Sequence, residues 1–327
     1  APVQAQDRSS KGTIIINGKE LDIDKYAEII EQTASTVEKA MEEVAKNMED
    51  AAEAIEKDAN IKINGRSDQR LRGSGNIITE SRIVPADYHA VVTSRAVKVT
   101  LENREGTTAI IRADDNVMPY IKIENNNGVL KIKIDDEIRT INSMTAEVRL
   151  PKSTNISRLE ATSASHIDVD YTIQSAKLTV KASSAADINI SKADVTHCNI
   201  HASSAAKVIG SIKATECNIK APSAANAKVQ ILANTCYADA SSAADITLAG
   251  EAGTLYLKAS SAADINALST KALVSTSADA SSGANIKVNA GKALTADASS
   301  GGTVAYKSEH DVNIHIKKSS GGSVRKM

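Results

Sequence analysis

Beyond residue 160 apolar and polar positions alternate with a period of two, and the alternation is punctuated at regular intervals by a small-residue motif. The motif reads Ala182-Ser-Ser-Ala-Ala-Asp-Ile188 and recurs at Ala202–Val208, Ala221–Ala227, Ala240–Ile246 and Ala259–Ile265. Looser copies stand at Ala280–Ile286, Ala298–Val304 and Lys318–Val324, and a degenerate one at Ala161–Ile167. A near-fixed period of about 20 residues, as these positions give, marks a solenoid. Four residues before each motif stand Leu178, Cys198, Cys217, Cys236, Leu255, Thr276, Leu294 and Ile314, and two before it Val180, Ile200, Ile219, Ala238, Leu257, Ala278, Ala296 and Ile316. Polar or aromatic residues lie between them, so these are strands with the two flanking columns inside. Ile188/Ile190 after the motif and Ala193/Val195 before the next unit supply two further inward pairs. The expected fold is therefore mainly β, a right-handed parallel β-helix with three short strands per coil. Nine coils at strand spacing span roughly 40 Å.

Three segments follow from this reading. Residues 161–327 form the regular β-helix. Residues 66–160 lack the motif but keep strand alternation, as in Val129–Ile134, with a turn at Asn125-Asn-Asn-Gly128; they are expected to be its irregular first coils. Residues 1–65 are an attachment. Thr13–Leu21 reads as a hairpin with an Asn-Gly turn, and residues 24–58 as one long amphipathic α-helix. Its apolar positions recur in sets such as Tyr26/Val37/Met48 and Ile30/Met41/Ala52. A period of about 11 residues keeps such a stripe nearly straight on a helix. Two uses are open for it: a shield along the β-helix, or homo-oligomerisation through the helix.

Composition narrows the function. Among 327 residues, Lys+Arg is 39 and Asp+Glu is 40, without the basic excess expected of a nucleic-acid binder. Phe and Trp are absent, which suits thin core layers of Ala, Val, Ile and Leu. No apolar run reaches the length of a membrane-spanning helix. The first residues carry no apolar signal core, so any export signal or lipid anchor is expected upstream of Ala1.

The candidate chemistry is sparse. Tyr237 and Tyr256 share one outward column on successive coils, near Asn218, Lys220 and Lys258, and can form a sugar- or protein-contact patch or simply pack on each other. Asp245 and Asp264 are neighbours in a column with Asp187, Lys207, Asn226 and Asn285. A cation would relieve their repulsion, but the glycine-rich spacing of calcium-binding β-rolls is missing. Cys198, Cys217 and Cys236 follow the repeat and point inward as core filler rather than as metal ligands. His197, His201, His310 and His315 are scattered. Asp239, His201 and Lys220 in one column are a weak stand-in for the clustered acid and base that a carbohydrate-cleaving β-helix needs. No catalytic residue or cofactor is expected.

A resemblance adds to this. Arg72-Gly-Ser-Gly-Asn-Ile-Ile-Thr-Glu-Ser-Arg82 is followed by Tyr88-His-Ala-Val-Val-Thr-Ser-Arg, by Ile111-Arg-Ala-Asp-Asp-Asn-Val-Met-Pro-Tyr120, by Gly128-Val-Leu-Lys-Ile, and by Pro151 and the Ala-Ser-Ser-Ala repeats. In that order, over residues 70–327, they resemble the head GIN domain family of adhesin-like proteins of Bacteroidetes-type bacteria. The resemblance implies a β-helix and an exported location in the periplasm, the outer membrane or the cell surface, and no reaction. The expected function is non-enzymatic adhesion or assembly through the faces of the rod. A carbohydrate-active enzyme and a purely structural envelope spacer are the alternatives.

Overall fold

The computed structural model describes residues 13–16, 19–22, 46, 70–308 and 312–327. The chain divides into two units, Ala1–Asp68 and Gln69–Met327. In the first, Thr13–Ile16 pairs antiparallel with Lys19–Asp22, Ile16 opposite Lys19, the hairpin the sequence predicts. The long α-helix expected over 24–58 is a correction. The fold is mainly β, and among the described residues only the single 3-10 turn Met118–Tyr120 and the isolated position Lys46 are helical. Apart from Lys46, the span 24–58 lies outside the described residues. An apolar stripe tells which side of a helix would be buried; helical stability comes from a core to bury it against.

The second unit is a β-solenoid. The three short strands expected per coil are one continuous extended segment, as in Asp187–Ala202, Lys207–Ala221, Asn226–Ala240 and Asp245–Ala259. Asp187–Ala202 shows how one segment makes three sides. Ile188 and Ile190 are buried, then Ala193 and Val195, then Cys198, Ile200 and Ala202. Two outward residues in succession, Ser191-Lys192 and Thr196-His197, mark the bends between them. Adjacent segments pair parallel and in register, with Ile188 opposite Val208 and Cys198 opposite Cys217.

The Ser-Ser-Ala-Ala motif is where the segment breaks. Ser184 and Ala185 both have positive φ, 53° and 58°, and the Ala186 amide donates to the Ser183 carbonyl at 3.2 Å. This is a type I′ turn. Left-handed backbone disfavours any residue with a Cβ, but the turns compensate by stacking: the Ala185 amide donates to the Ser204 carbonyl at 2.9 Å, and that of Ala205 to Ser223 at 3.1 Å. In the last three coils the second turn residue becomes Gly283, Gly301 or Gly321, which takes this conformation freely. Arg95 and Ala96 repeat the geometry, and the Ala96 amide donates to the Ser163 carbonyl. The corner thus extends one coil earlier than the motif.

Residues 70–157 close the other end differently from simple coils. Ile77–Ile83 runs antiparallel to Thr108–Asp114, as do Ala146–Leu150 to Thr108–Asp114 and Ile121–Asn126 to Val129–Ile134. The parallel stack is joined where Ala90–Thr93 pairs with Arg158–Ala161 and Lys98–Leu101 with His166–Val169.

One layer is imperfect. The buried hydroxyls of Thr270 and Thr276 have no hydrogen-bond partner. Thr276 stands in the core column between Leu255 and Leu294. Thr276→Val keeps the shape and removes an unsatisfied polar group, and should stabilise the fold by about 1 kcal/mol. An unchanged or lowered urea midpoint would show that the hydroxyl is satisfied after all.

Candidate binding face

One outward column of the solenoid reads Asn199, Asn218, Tyr237, Tyr256, Ser277, Thr295, His315, each opposite the next. Parallel in-register stacking puts the two tyrosines on adjacent rungs. Their ring centroids lie 4.7 Å apart with planes 9° from parallel, so the rings stack at the strand spacing. They are 41% and 43% exposed, large for aromatic side chains in a folded chain. The next column alternates in sign as Lys220, Asp239, Lys258 and Asp279. Asn218 turns toward Glu216, to which its amide donates at 2.8 Å.

Register therefore brings Tyr237, Tyr256, Asn218, Lys220 and Lys258 onto one face. It adds a residue that sequence reasoning did not single out, Ser277. Because the next rung after Tyr256 carries only a hydroxymethyl group, the far face of the Tyr256 ring looks along the rod over Ser277 and then Thr295. The result is a step about two rungs deep, roughly 10 Å, with an aromatic riser and hydroxyls on its floor. Asp279 and Lys258 stand beside it. The signal for Ser277 was its place in the repeat column.

The other candidates resolve as follows. Asp245 and Asp264 are on adjacent rungs between Asn226 and Asn285. Among the described residues no group of three or more His, Cys, Asp or Glu side chains is placed to hold a metal. The cysteines stack as one buried column. Hydrogen bonding to Cys217 and then burial push the thiols of Cys198 and Cys236 up, and the same two hydrogen bonds lower that of Cys217; burial withholds all three from solvent. His201, Lys220 and Asp239 share a column on successive rungs; His310 lies outside the described residues.

A charged cluster at the early end of the rod was missed: His166 holds the aspartate position of the degenerate copy Ala161–Ile167, but Lys98 joins the column only once the corner at Arg95 is recognised. His166 Nε2 lies 2.8 Å from Asp168 Oδ1, the Asn189 amide donates to the same oxygen at 2.9 Å, and Lys98 Nζ is 3.4 Å from Oδ2. Burial alone would raise the Asp168 carboxyl; the hydrogen bonds from Asn189 and His166, with the nearby positive charges, outweigh it and hold the group below its usual range. A depressed folded-state value means stability present above the unfolded carboxylate pKa and lost as pH falls through the folded one. Asp168→Asn should therefore flatten the acid limb of Tm against pH; an unaltered limb would assign that loss of stability to other groups.

A polar groove of about 490 Å³ also opens beside Tyr171, lined by Asn103, Lys152, Thr154, Asp170 and Gln174. The Tyr171 hydroxyl lies 3.2 Å from both the amide and the carbonyl of Ser153, so it serves the groove as a wall.

Comparison with known proteins gives one family model, described as "Putative auto-transporter adhesin, head GIN domain", which matches residues 87–221 and 199–309. No curated protein matches the chain. Among solved structures, a putative adhesin from Parabacteroides merdae is 15% identical, covering 79% of this chain and 99% of its own, with a TM-score of 0.63. A putative adhesin from Parabacteroides distasonis is 17% identical over 79% of this chain and 100% of its own, TM-score 0.58. A putative lipid binding protein from the same species is 17% identical over 79% and 99%, TM-score 0.53. At these identities the structures establish the shared fold.

Proposed function

Because the chain belongs to the family of the "Putative auto-transporter adhesin, head GIN domain", we propose that it is a non-enzymatic, exported surface protein that binds a glycan through the Tyr237–Tyr256 step. The family supports the adhesin-like role and the exported location. No helix among the described residues is long and apolar enough to cross a membrane. The observation that carries the glycan reading is the stacked, exposed tyrosine pair with the free Tyr256 face above Ser277. A pyranose presents C–H groups on its face and hydroxyls at its rim. The ring would take the face, and Ser277, Lys258 and Asp279 the hydroxyls.

The test is a panel of immobilised bacterial and host-type oligosaccharides read with the full chain. Tyr256→Ala should weaken binding about tenfold or more, the range of an aromatic anchor. It should remove only about 0.5–1.5 kcal/mol of stability, the worth of a stacked pair. Ser277→Tyr, which extends the stack and fills the step, should block binding while leaving Tm unchanged or raised. If no oligosaccharide binds, or if binding is indifferent to both variants, the tyrosines only hold the rod together and the spacer reading takes over.

A further inference from the structure

The first bend of the solenoid sheds one residue on each of two successive rungs. Register is unbroken as far as Val169 opposite Ile190 and resumes at Thr172 opposite Lys192, so Asp170 and Tyr171 stand against Ser191 alone. One rung later Ser191 and Lys192 stand against Ser211 alone. The segments shorten accordingly, from 17 residues in His166–Ala182 to 16 in Asp187–Ala202 and 15 in Lys207–Ala221. An extra residue of this kind bends its strand and re-aims the side chains beside it. Here it widens the corner toward the early end of the rod.

The widened corner meets a wall built from other stretches of the chain. The Lys152 amide donates to the Arg104 carbonyl at 2.8 Å, which holds the stretch after Leu150 against the one after Leu101. The Tyr171 hydroxyl, bonded to the Ser153 backbone, pins the bulge to that wall. Between them lies the polar groove of about 490 Å³, within the size range of small-ligand clefts. Four of its side chains, those of Asn103, Thr154, Asp170 and Gln174, make no hydrogen bond or ion pair among the described residues. Lys152 is the one cation in the lining, and Glu105 already neutralises it at 2.8 Å. With Asp170 on the opposite wall, charge therefore does not favour a phosphate or a carboxylate. An apolar ligand would cost the desolvation of these amides and hydroxyls.

We propose that this groove binds one or two rings of a neutral saccharide. Each sugar hydroxyl is both donor and acceptor. Asp170 accepts, Lys152 donates, and the Asn103 and Gln174 amides do both. The Tyr171 ring at the border gives the C–H groups of a pyranose an apolar contact. The site lies on the first bend, outside the column of Tyr237 and Tyr256, and stands or falls separately from the tyrosine step.

The test is NMR on the isotope-labelled full chain. It is titrated separately with methyl α-mannoside, methyl β-galactoside, methyl β-glucoside and N-acetylglucosamine, with inorganic phosphate as the control. At least one sugar should shift the side-chain amides of Asn103 and Gln174 and the backbone amides of residues 170–172. The same shifts should persist in Tyr256→Ala. Asp170→Ala should weaken that titration about tenfold or more, the worth of a hydrogen bond to a charged group. Its Tm should not change, because the carboxylate has no partner to lose. Deleting Asp170, which gives its segment the length of the next, should abolish the shifts. The proposal is overturned if no sugar moves these resonances, or if phosphate moves them as strongly. It is also overturned if Asp170→Ala binds as the unaltered chain does. Shifts that vanish in Tyr256→Ala would leave the tyrosine step as the site and this groove without one.

Discussion

Gly250→Ala should destabilise the solenoid by about 3–5 kcal/mol, combining backbone strain with overpacking. Gly250 has φ +107°, outside the range that side chains with a Cβ adopt. A Cβ built there would lie 2.1 Å from the Ile231 carbonyl oxygen and 3.1 Å from its carbon. Both are backbone atoms of the adjacent rung, where Ile231 pairs with Gly250, so no side chain can rotate out of the way. The rung would have to separate from its neighbour, and in a stack every coil depends on its neighbours. Gly283→Ala is the control. That glycine has φ +73° but meets nothing within 4 Å, and the equivalent turn positions carry Ala243 and Ala262. It should lose only about 1–2 kcal/mol, the left-handed penalty alone. Urea unfolding of the two variants checks the difference. Equal losses would mean that the rung spacing relaxes around a Cβ.

Asp114→Ala should remove about 3–5 kcal/mol, the sum of two charge-assisted hydrogen bonds and the desolvation of the groups left behind. Asp114 is 2% exposed. Its Oδ1 accepts the Gly75 amide at 2.7 Å and its Oδ2 the Thr145 amide at 2.6 Å. It therefore ties three separate stretches of the closing end together. The chain crosses so near that a Cβ on Gly73 would lie 2.4 Å from Oδ2. Next to it, Asp115 accepts from the Ser74 hydroxyl, the Asn76 amide group and the Asn116 backbone, and those bonds hold its carboxyl below the usual range. The loss should be local. Hydrogen exchange should show the amides of Gly75 and Thr145 deprotected while the coils after residue 180 keep their protection. Unchanged protection at both amides would show that water or another group replaces the carboxylate.

The tyrosine column, its lysine neighbours and the cysteine column were legible because a short, near-fixed repeat stacks each position on its own copy. Ser277 was visible in that column, but its meaning depends on the orientation of the Tyr256 ring. The aspartate column was read from Asp187 onward although His166 already holds its position in the copy Ala161–Ile167; Lys98 was out of reach because its corner is written Arg95-Ala96 rather than Ser-Ala and is recognisable only by its pairing with Ser163.

By itself the sequence determined what is local and periodic: strand character from alternation, the Ser-Ser-Ala-Ala corners, the identity of the inward columns, and like-on-like register from the repeat interval. A period of two says which side of a strand is buried, but it is the same for parallel and antiparallel neighbours. For that reason the antiparallel closure by Ile77–Ile83, Thr108–Asp114 and Ala146–Leu150 was decided only by the tertiary structure. The interval from Ala280 to Ala298 was likewise visibly the shortest between copies of the motif. Which side of the coil it removed depended on which strands found partners.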